Sequence, residues 1–238
     1  MPKLTILLCT YQGSNFLEQQ LESFLRQTGV DWDIWVSDDG STDPTRTIVD
    51  RFVAPNGTPA HITQGPGRGF AANFLSLLCH PDLPPGYVAL SDQDDVWYAD
   101  KLARAMAALA PLDPDTPALV CGRTLLTDGA LKPLGPSRRH RFFSFRNALV
   151  QNVVAGNTIV LNPAAHRLVR DAGVVDVPYH DWWCYQLITG AGGTVIYDPE
   201  PCMLYRQHGS NTLGENRSLA AVIRRARSFG GKTWRGWF

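Results

Sequence analysis

Tyr87-Val88-Ala89-Leu90-Ser91-Asp92-Gln93-Asp94-Asp95-Val96-Trp97 is the stretch that decides how this chain is read. Tyr87–Ser91 is an apolar run of strand length, and three carboxylates follow it within four residues. Carboxylates packed against the end of a buried strand repel one another and lose hydration, which is costly unless a cation neutralises them. Hard divalent cations such as Mg²⁺ or Mn²⁺ favour such oxygen donors. An EF-hand is excluded, because the sixth position of that loop would be Trp97 rather than glycine. Taken alone, the same residues also fit a solvated acidic loop leading into a helix at Asp100.

Outward from this strand, the first half alternates strand and helix. Leu4–Cys9 reads as strand one. Asn15 caps a helix whose apolar face is Phe16, Leu17, Leu21, Phe24 and Leu25, with Glu18 completing the capping box. Asp33–Ser37 reads as strand two, Asp43-Pro44 as a cap followed by a first-turn proline, and His61–Gln64 as strand three. Helices are expected from Gly69 to Cys79 and from Asp100 to Ala110. This alternation specifies an α/β fold with a mostly parallel sheet flanked by helices. The second half is more irregular, with strands at Ala118–Cys121, Asn157–Leu161, Thr194–Tyr197 and Met203–Arg206. Helices are expected at Pro163–Asp171 and Asp181–Thr189, and basic Lys132–Arg146 reads as a loop that orders on binding. The expected organisation is one domain over 1–216, made of a regular half at 1–110 and a more irregular half at 111–216. A basic tail covers 217–238.

Open α/β sheets bind ligands beyond the carboxyl ends of their strands. Thr10-Tyr11 ends strand one, Asp38-Asp39-Gly40-Ser41 ends strand two, and Asp92–Asp95 ends strand four, which places three polar clusters on one edge. An acidic edge with a divalent cation suits a ligand bearing phosphates. Gly65-Pro66-Gly67-Arg68-Gly69 matches neither GxGxxG nor a Walker loop, so the metal carries most of the neutralisation, with Arg68 assisting.

Of the 238 residues, 22 are basic and 22 acidic, so a general nucleic-acid surface is not expected, and seven Trp, seven Tyr and ten Phe argue against disorder. The balance is uneven. Residues 217–238 hold six basic and no acidic residues, leaving 16 basic against 22 acidic, a net charge of −6, in the first 216. Leu219, Val222, Ile223, Ala226 and Phe229 share one helical face of this tail, and Trp234, Trp237 and Phe238 follow, a pattern suited to an anionic membrane surface. The five scattered cysteines, never spaced as CxxC, fit the cytosol, with peripheral contact at the inner face of the plasma membrane through the tail.

The chain resembles an inverting glycosyltransferase of family 2 with the GT-A, Rossmann-like fold. The resemblance rests on an ordered set: Leu7–Gly13, Trp35–Asp43, Ser91–Trp97, His180-Asp181-Trp182-Trp183 and Tyr205–Asn211. The forms Ser-Asp-Gln-Asp-Asp-Val-Trp and Arg-Gln-His-Gly are similar to the rhamnosyltransferase-like branch that builds bacterial surface polysaccharides such as O-antigen. The resemblance implies that Tyr11 stacks on a pyrimidine base and Asp39 accepts from its ring N–H, with Thr10 and Asp38 nearby. Asp92-Gln93-Asp94 stands at the DxD motif: Asp92 or Gln93 would contact ribose, and Asp94, with His208, would hold Mn²⁺ or Mg²⁺ at the diphosphate. Asp181 would be the general base, and Trp182 and Trp183 would flank the acceptor sugar. The implied donor is a dTDP- or UDP-linked sugar, and the acceptor a glycan or a lipid-linked glycan. A metal-dependent nucleotidyltransferase or phosphohydrolase, and a non-catalytic sugar-nucleotide-binding module, are the alternatives.

Overall fold

Two apolar runs set the centre of the sheet. All seven residues of β1 (Leu4–Thr10) are buried, and six of seven in β2 (Trp32–Asp38), as strands covered on both faces require. The structure, a computed structural model, describes residues 3–208. Residues up to Arg206 form one compact unit, Gln207 and His208 fall outside it, and the tail readings at 217–238 lie outside the described residues.

In chain order the remaining elements are α1 (Leu17–Leu25), α2 (Thr45–Asp50), β3 (His61–Gln64), α3 (Phe70–Leu78), β4 (Tyr87–Ser91), β5 (Val96–Trp97) and α4 (Lys101–Leu109). The second half holds β6 (Ala118–Thr127), β7 (Pro133–Pro136), α5 (Phe145–Ala148), β8 (Val160–Leu161), α6 (Pro163–Ala172), α7 (His180–Gly190) and β9 (Thr194–Arg206). The sheet runs β3-β2-β1-β4-β8-β6-β9-β5, with β7 paired to β6. Its long ladders are parallel, β1 with β2 and β4, β2 with β3, and β6 with β9. Short antiparallel ladders through β8, β7 and β5 join and edge the second half, so parallel pairing dominates as expected. Phe24 of α1, fully buried, meets Trp97 edge-on at 4.6 Å and Trp32 at 6.3 Å, locking α1 over the strands.

Four local expectations need correction. Asn15 is exposed and is not the cap of α1; the N-cap position is Phe16, with no side-chain cap. Asp43 stands one residue further out than expected, because Pro44 takes the cap position of α2; its carboxylate still accepts from Thr45 N at 3.1 Å and Ser14 N at 3.0 Å. Asn157 and Thr158 form a 3₁₀ turn (Gly156–Thr158) rather than strand. The two strands expected at Thr194–Tyr197 and Met203–Arg206 are one. Asp198-Pro199-Glu200-Pro201 reads as a turn, yet Arg104 binds the Asp198 carboxylate and the carbonyls of Glu200 and Pro201, and these prolines sit in a register shift of a continuous strand.

Lys132–Arg146 also differs from the expected loop. It carries β7 and the start of α5, held because Ser137 N donates to Thr124 O at 2.8 Å and Ser144 caps α5 by accepting from Asn147 N.

The caps give a direct test. Asn162 Oδ1 accepts from Ala165 N and Ala118 N, both at 2.9 Å, and its Nδ2 donates to Thr116 O. Asn162→Ala is expected to lower unfolding stability by about 2 kcal/mol, and Asn15→Ala by less than about 0.5 kcal/mol. Urea denaturation of the two variants decides this.

Candidate active site

The parallel register brings the strand ends to one edge. Thr10 of β1 lies opposite Asp38 of β2, Asp38 opposite Gln64 of β3, and Leu8 opposite Ser91 of β4. The loops after β1, β2 and β4 therefore leave the sheet side by side.

The β1 and β2 loops are cross-braced. Asp38, buried, accepts from Thr10 Oγ1 at 2.8 Å, Ser41 Oγ at 2.6 Å and Ser41 N at 2.9 Å, so it holds the turn rather than facing a ligand. Asp39 accepts from Gly67 N at 2.7 Å and Gly69 N at 2.8 Å, which ties the glycine-rich loop to the strand edge. A Cβ on Gly65 would lie 2.7 Å from Asp39 Oδ1 and 2.6 Å from Asn73 Oδ1, which explains the glycine there. Arg68 of the same loop is exposed and pairs with Asp176 at 3.3 Å, a contact of little energetic weight. Tyr11 is 57% exposed, so its ring face is open for stacking.

Gln93 is a strut between loops. Its Oε1 accepts from Tyr11 N and its Nε2 donates to Tyr11 O, both at 2.8 Å, so both ends of the amide engage the Tyr11 backbone. Gly13 makes room for it, since a Cβ there would fall 2.2 Å from Gln93 Oε1.

The carboxylates behave as a crowded, partly dehydrated group. Burial, then Asp94, then Asp181 push Asp92 up to about 7, against the pull of Lys101. Asp181 is therefore near enough to Asp92 to feel its charge, although 89 positions separate them in sequence. Because the folded value lies above the ordinary one near 4, ionising Asp92 costs stability as pH rises through this window, and a bound cation would offset that cost. Burial raises Asp181 to about 6, opposed by hydrogen bonds from Trp182 N, the Asn152 side chain and Gly156. Asp181 sits in the first turn of α7, which starts at His180 with Tyr179 at the cap position; its Oδ1 accepts from Trp182 N at 2.7 Å.

Behind this group is a polar layer whose roles the motifs do not reveal. Asp95, fully buried, accepts from Asn157 Nδ2 at 2.6 Å and Arg206 N at 3.3 Å, and its own N–H donates to Gln20 Oε1. Buried Arg206 donates from Nε to Asp94 O at 2.9 Å, from Nη1 to Gly129 O at 2.6 Å and from Nη2 to Gln19 Oε1, and lies over Phe16. Lys101, also buried, donates to Asn157 O at 2.9 Å with its ammonium 3.2 Å from the Trp97 ring centre. Burial brings it down to about 7. Arg206 fell within a recognisable motif; nothing local marks Asn157 or Lys101, which act only once the chain has folded.

The tryptophan pair divides its work. Trp182 is buried and donates from Nε1 to Ala148 O at 2.6 Å, so it packs α7 against α5 and offers no open face to an acceptor. Trp183 is half-buried. His180 stacks on Phe74 at 4.0 Å, and burial lowers it to about 3, so it stays neutral. Burial raises the Cys184 thiol well above the ordinary range, which removes a thiol nucleophile beside His180. His208 falls outside the compact unit that ends at Arg206. Among the described residues, no three His, Cys, Asp or Glu side chains form a ready-made ion cage.

The comparisons with known proteins accord with this edge. The model of glycosyl transferase family 2 matches residues 5–172. A dTDP-rhamnosyl transferase of Shigella flexneri, RfbG, is 29% identical over 228 residues, covering 92% of this chain and 77% of that protein. Two solved structures share the fold. The mannosyltransferase PcManGT of Pyrobaculum calidifontis, in complex with GDP-Man and Mn²⁺, has a TM-score of 0.65 at 21% identity, over 95% of this chain and 61% of that one. S. aureus TarS 1–349 in complex with UDP-GlcNAc has a TM-score of 0.66 at 14% identity, over 88% and 60%. The chain thus spans about three-fifths of those two solved chains. With a family match across most of its length and a GT-A-like sheet edge, the chain belongs to glycosyltransferase family 2.

Proposed function

We propose that this protein transfers a sugar, rhamnose in the first instance, from a dTDP- or UDP-linked donor to a glycan or lipid-linked acceptor, with inversion at the anomeric carbon. The observation that carries the reading is that Asp181, in the first turn of α7, lies near enough to Asp92 at the carboxyl edge of the sheet for the two charges to interact. A base and a diphosphate-binding segment are the two parts that such a displacement needs.

In this reading the exposed Tyr11 ring stacks on the base, and Asp39, fixed by Gly67 and Gly69, uses a remaining lone pair for a ring N–H. Thr10 and Asp38 shape the turn beneath the nucleoside, and Gln93 positions Tyr11. Asp94 would hold Mn²⁺ or Mg²⁺. The donor set fits: hard carboxylate oxygens, with no complete cage among the described residues, suit an ion that keeps several waters and also binds phosphate oxygen. When bound, such an ion offsets the charge that develops on the departing diphosphate. Asp181 accepts the proton of the attacking hydroxyl, and Trp183 flanks the acceptor. A value near 6 suits this role, because the carboxylate is ionised at neutral pH yet remains a stronger base than an ordinary aspartate. The five free cysteines agree with a cytoplasmic enzyme.

Three outcomes test the reading. Asp181→Asn is expected to lower kcat by at least about a thousandfold while donor affinity stays within about twofold; full activity would remove Asp181 as the base. In the native protein, kcat/KM is expected to level off above about pH 7 and fall tenfold per unit below about pH 6, because protonated Asp181 cannot accept the proton; a flat profile to pH 4.5 would contradict it. Gly13→Ala displaces Gln93, so nucleotide-diphosphate affinity is expected to fall about tenfold by calorimetry with little change in melting temperature.

A further inference from the structure

From Gly129 to Arg170 the chain has no Asp or Glu, while Lys132, Arg138, Arg139, Arg141 and Arg146 are all exposed. Large apolar side chains stand exposed among them: Phe142 at 80%, Val150 at 62%, Phe145 at 44% and Leu149 at 40%. The backbone that presents them is anchored. Phe143 turns inward, stacked on Tyr197 at 5.2 Å and edge-on to Tyr185 at 6.4 Å, which directs the neighbouring Phe142 outward. Ser144 N donates to Tyr185 Oη at 2.9 Å, and buried Ala148 accepts through its carbonyl from Trp182 Nε1 and Gln186 Nε2. The inward side of this segment is thus pinned to α7, and the outward side is a basic and aromatic surface.

We propose that residues 138–150 form a docking surface for an anionic lipid bilayer. Charge complementarity selects this occupant. Exposed arginines interleaved along the segment with exposed Phe, Leu and Val match the two contributions that hold a protein at such a surface, apolar insertion at the headgroup level and attraction to anionic lipid. An aromatic held almost fully in solvent by its own anchored backbone is an exposed patch that calls for a partner. The surface packs on α7, the helix whose first turn carries Asp181, so docking would fix that helix relative to the membrane. The inference goes beyond the transfer reaction and stands whatever the acceptor.

The test is sedimentation of the full chain with vesicles of phosphatidylglycerol and phosphatidylcholine, compared with vesicles of phosphatidylcholine alone. The native protein is expected to bind only the anionic vesicles, and progressively less as NaCl is raised. Arg139→Glu/Arg141→Glu is expected to weaken binding on the order of thirtyfold, at roughly fivefold for each cation lost. Phe142→Ser is expected to weaken binding several-fold without changing its salt dependence. Melting temperature and nucleotide binding, measured on the same samples, are expected to stay unchanged, which separates this surface from the donor site. Native protein that ignores anionic vesicles would overturn the proposal. So would retained binding in Arg139→Glu/Arg141→Glu, whether it is then lost in Arg224→Glu/Arg225→Glu or in neither. So would a change in oligomeric state with no change in vesicle binding.

Discussion

The register of β1 against β2 and β4 is the constraint from which the site follows. Parallel pairing places Thr10 beside Asp38 and Leu8 beside Ser91, so three loops leave the sheet at one edge. A shift of one residue would turn every side chain of a strand to the opposite face and bury the wrong set. Full burial of β1 makes that slip prohibitive, and the polar braces then fix the loops: Asp38 the β2 turn, Asp39 the glycine-rich loop, and Gln93 the link to Tyr11. The Cys9 thiol records the outcome, since it feels both Asp39 and Asp92 from the end of β1.

Holding carboxylates at that edge requires support from below. Asp95, Asn157, Lys101 and Arg206 form a buried polar layer in which the Asp95 carboxylate is hydrogen-bonded by Asn157 and Arg206. Buried charge in a poorly matched layer destabilises a protein, so each partner is needed to keep it neutral and ordered. Arg206 has the widest reach, joining the Asp94 carbonyl, the turn at Gly129 and Gln19 of α1 in one clasp. It thereby sets the path of the segment on which Asp92 and Asp94 stand.

The chain disclosed its architecture where short apolar runs lie between clear breakers: β3 and β4 have the expected bounds, and α3 and α4 differ by one residue at each end. It concealed elements where tertiary contacts outweigh local preference. Two prolines suggest a turn inside β9, but Arg104 stabilises the bulge that contains them. For the site, the carboxylates were legible because acids crowded at the end of a buried strand are costly to keep without a balancing cation. The supporting layer was not. Asn157 and Arg206 reach Asp95 across 62 and 111 positions, and no periodicity encodes such contacts. Trp182 and Trp183 are chemically alike in sequence; only helical geometry turns the first into the core and leaves the second half-exposed.

The central claim is that this edge binds a pyrimidine nucleotide diphosphate together with a divalent cation. Calorimetric titration of the native protein with dTDP and UDP, each with Mn²⁺ and with EDTA, tests it directly. The account predicts saturable binding of one of the two that weakens at least about tenfold in EDTA, consistent with phosphate charge balanced by the ion rather than by a basic loop. Equal affinity with and without Mn²⁺, or no binding of either nucleotide, would contradict it.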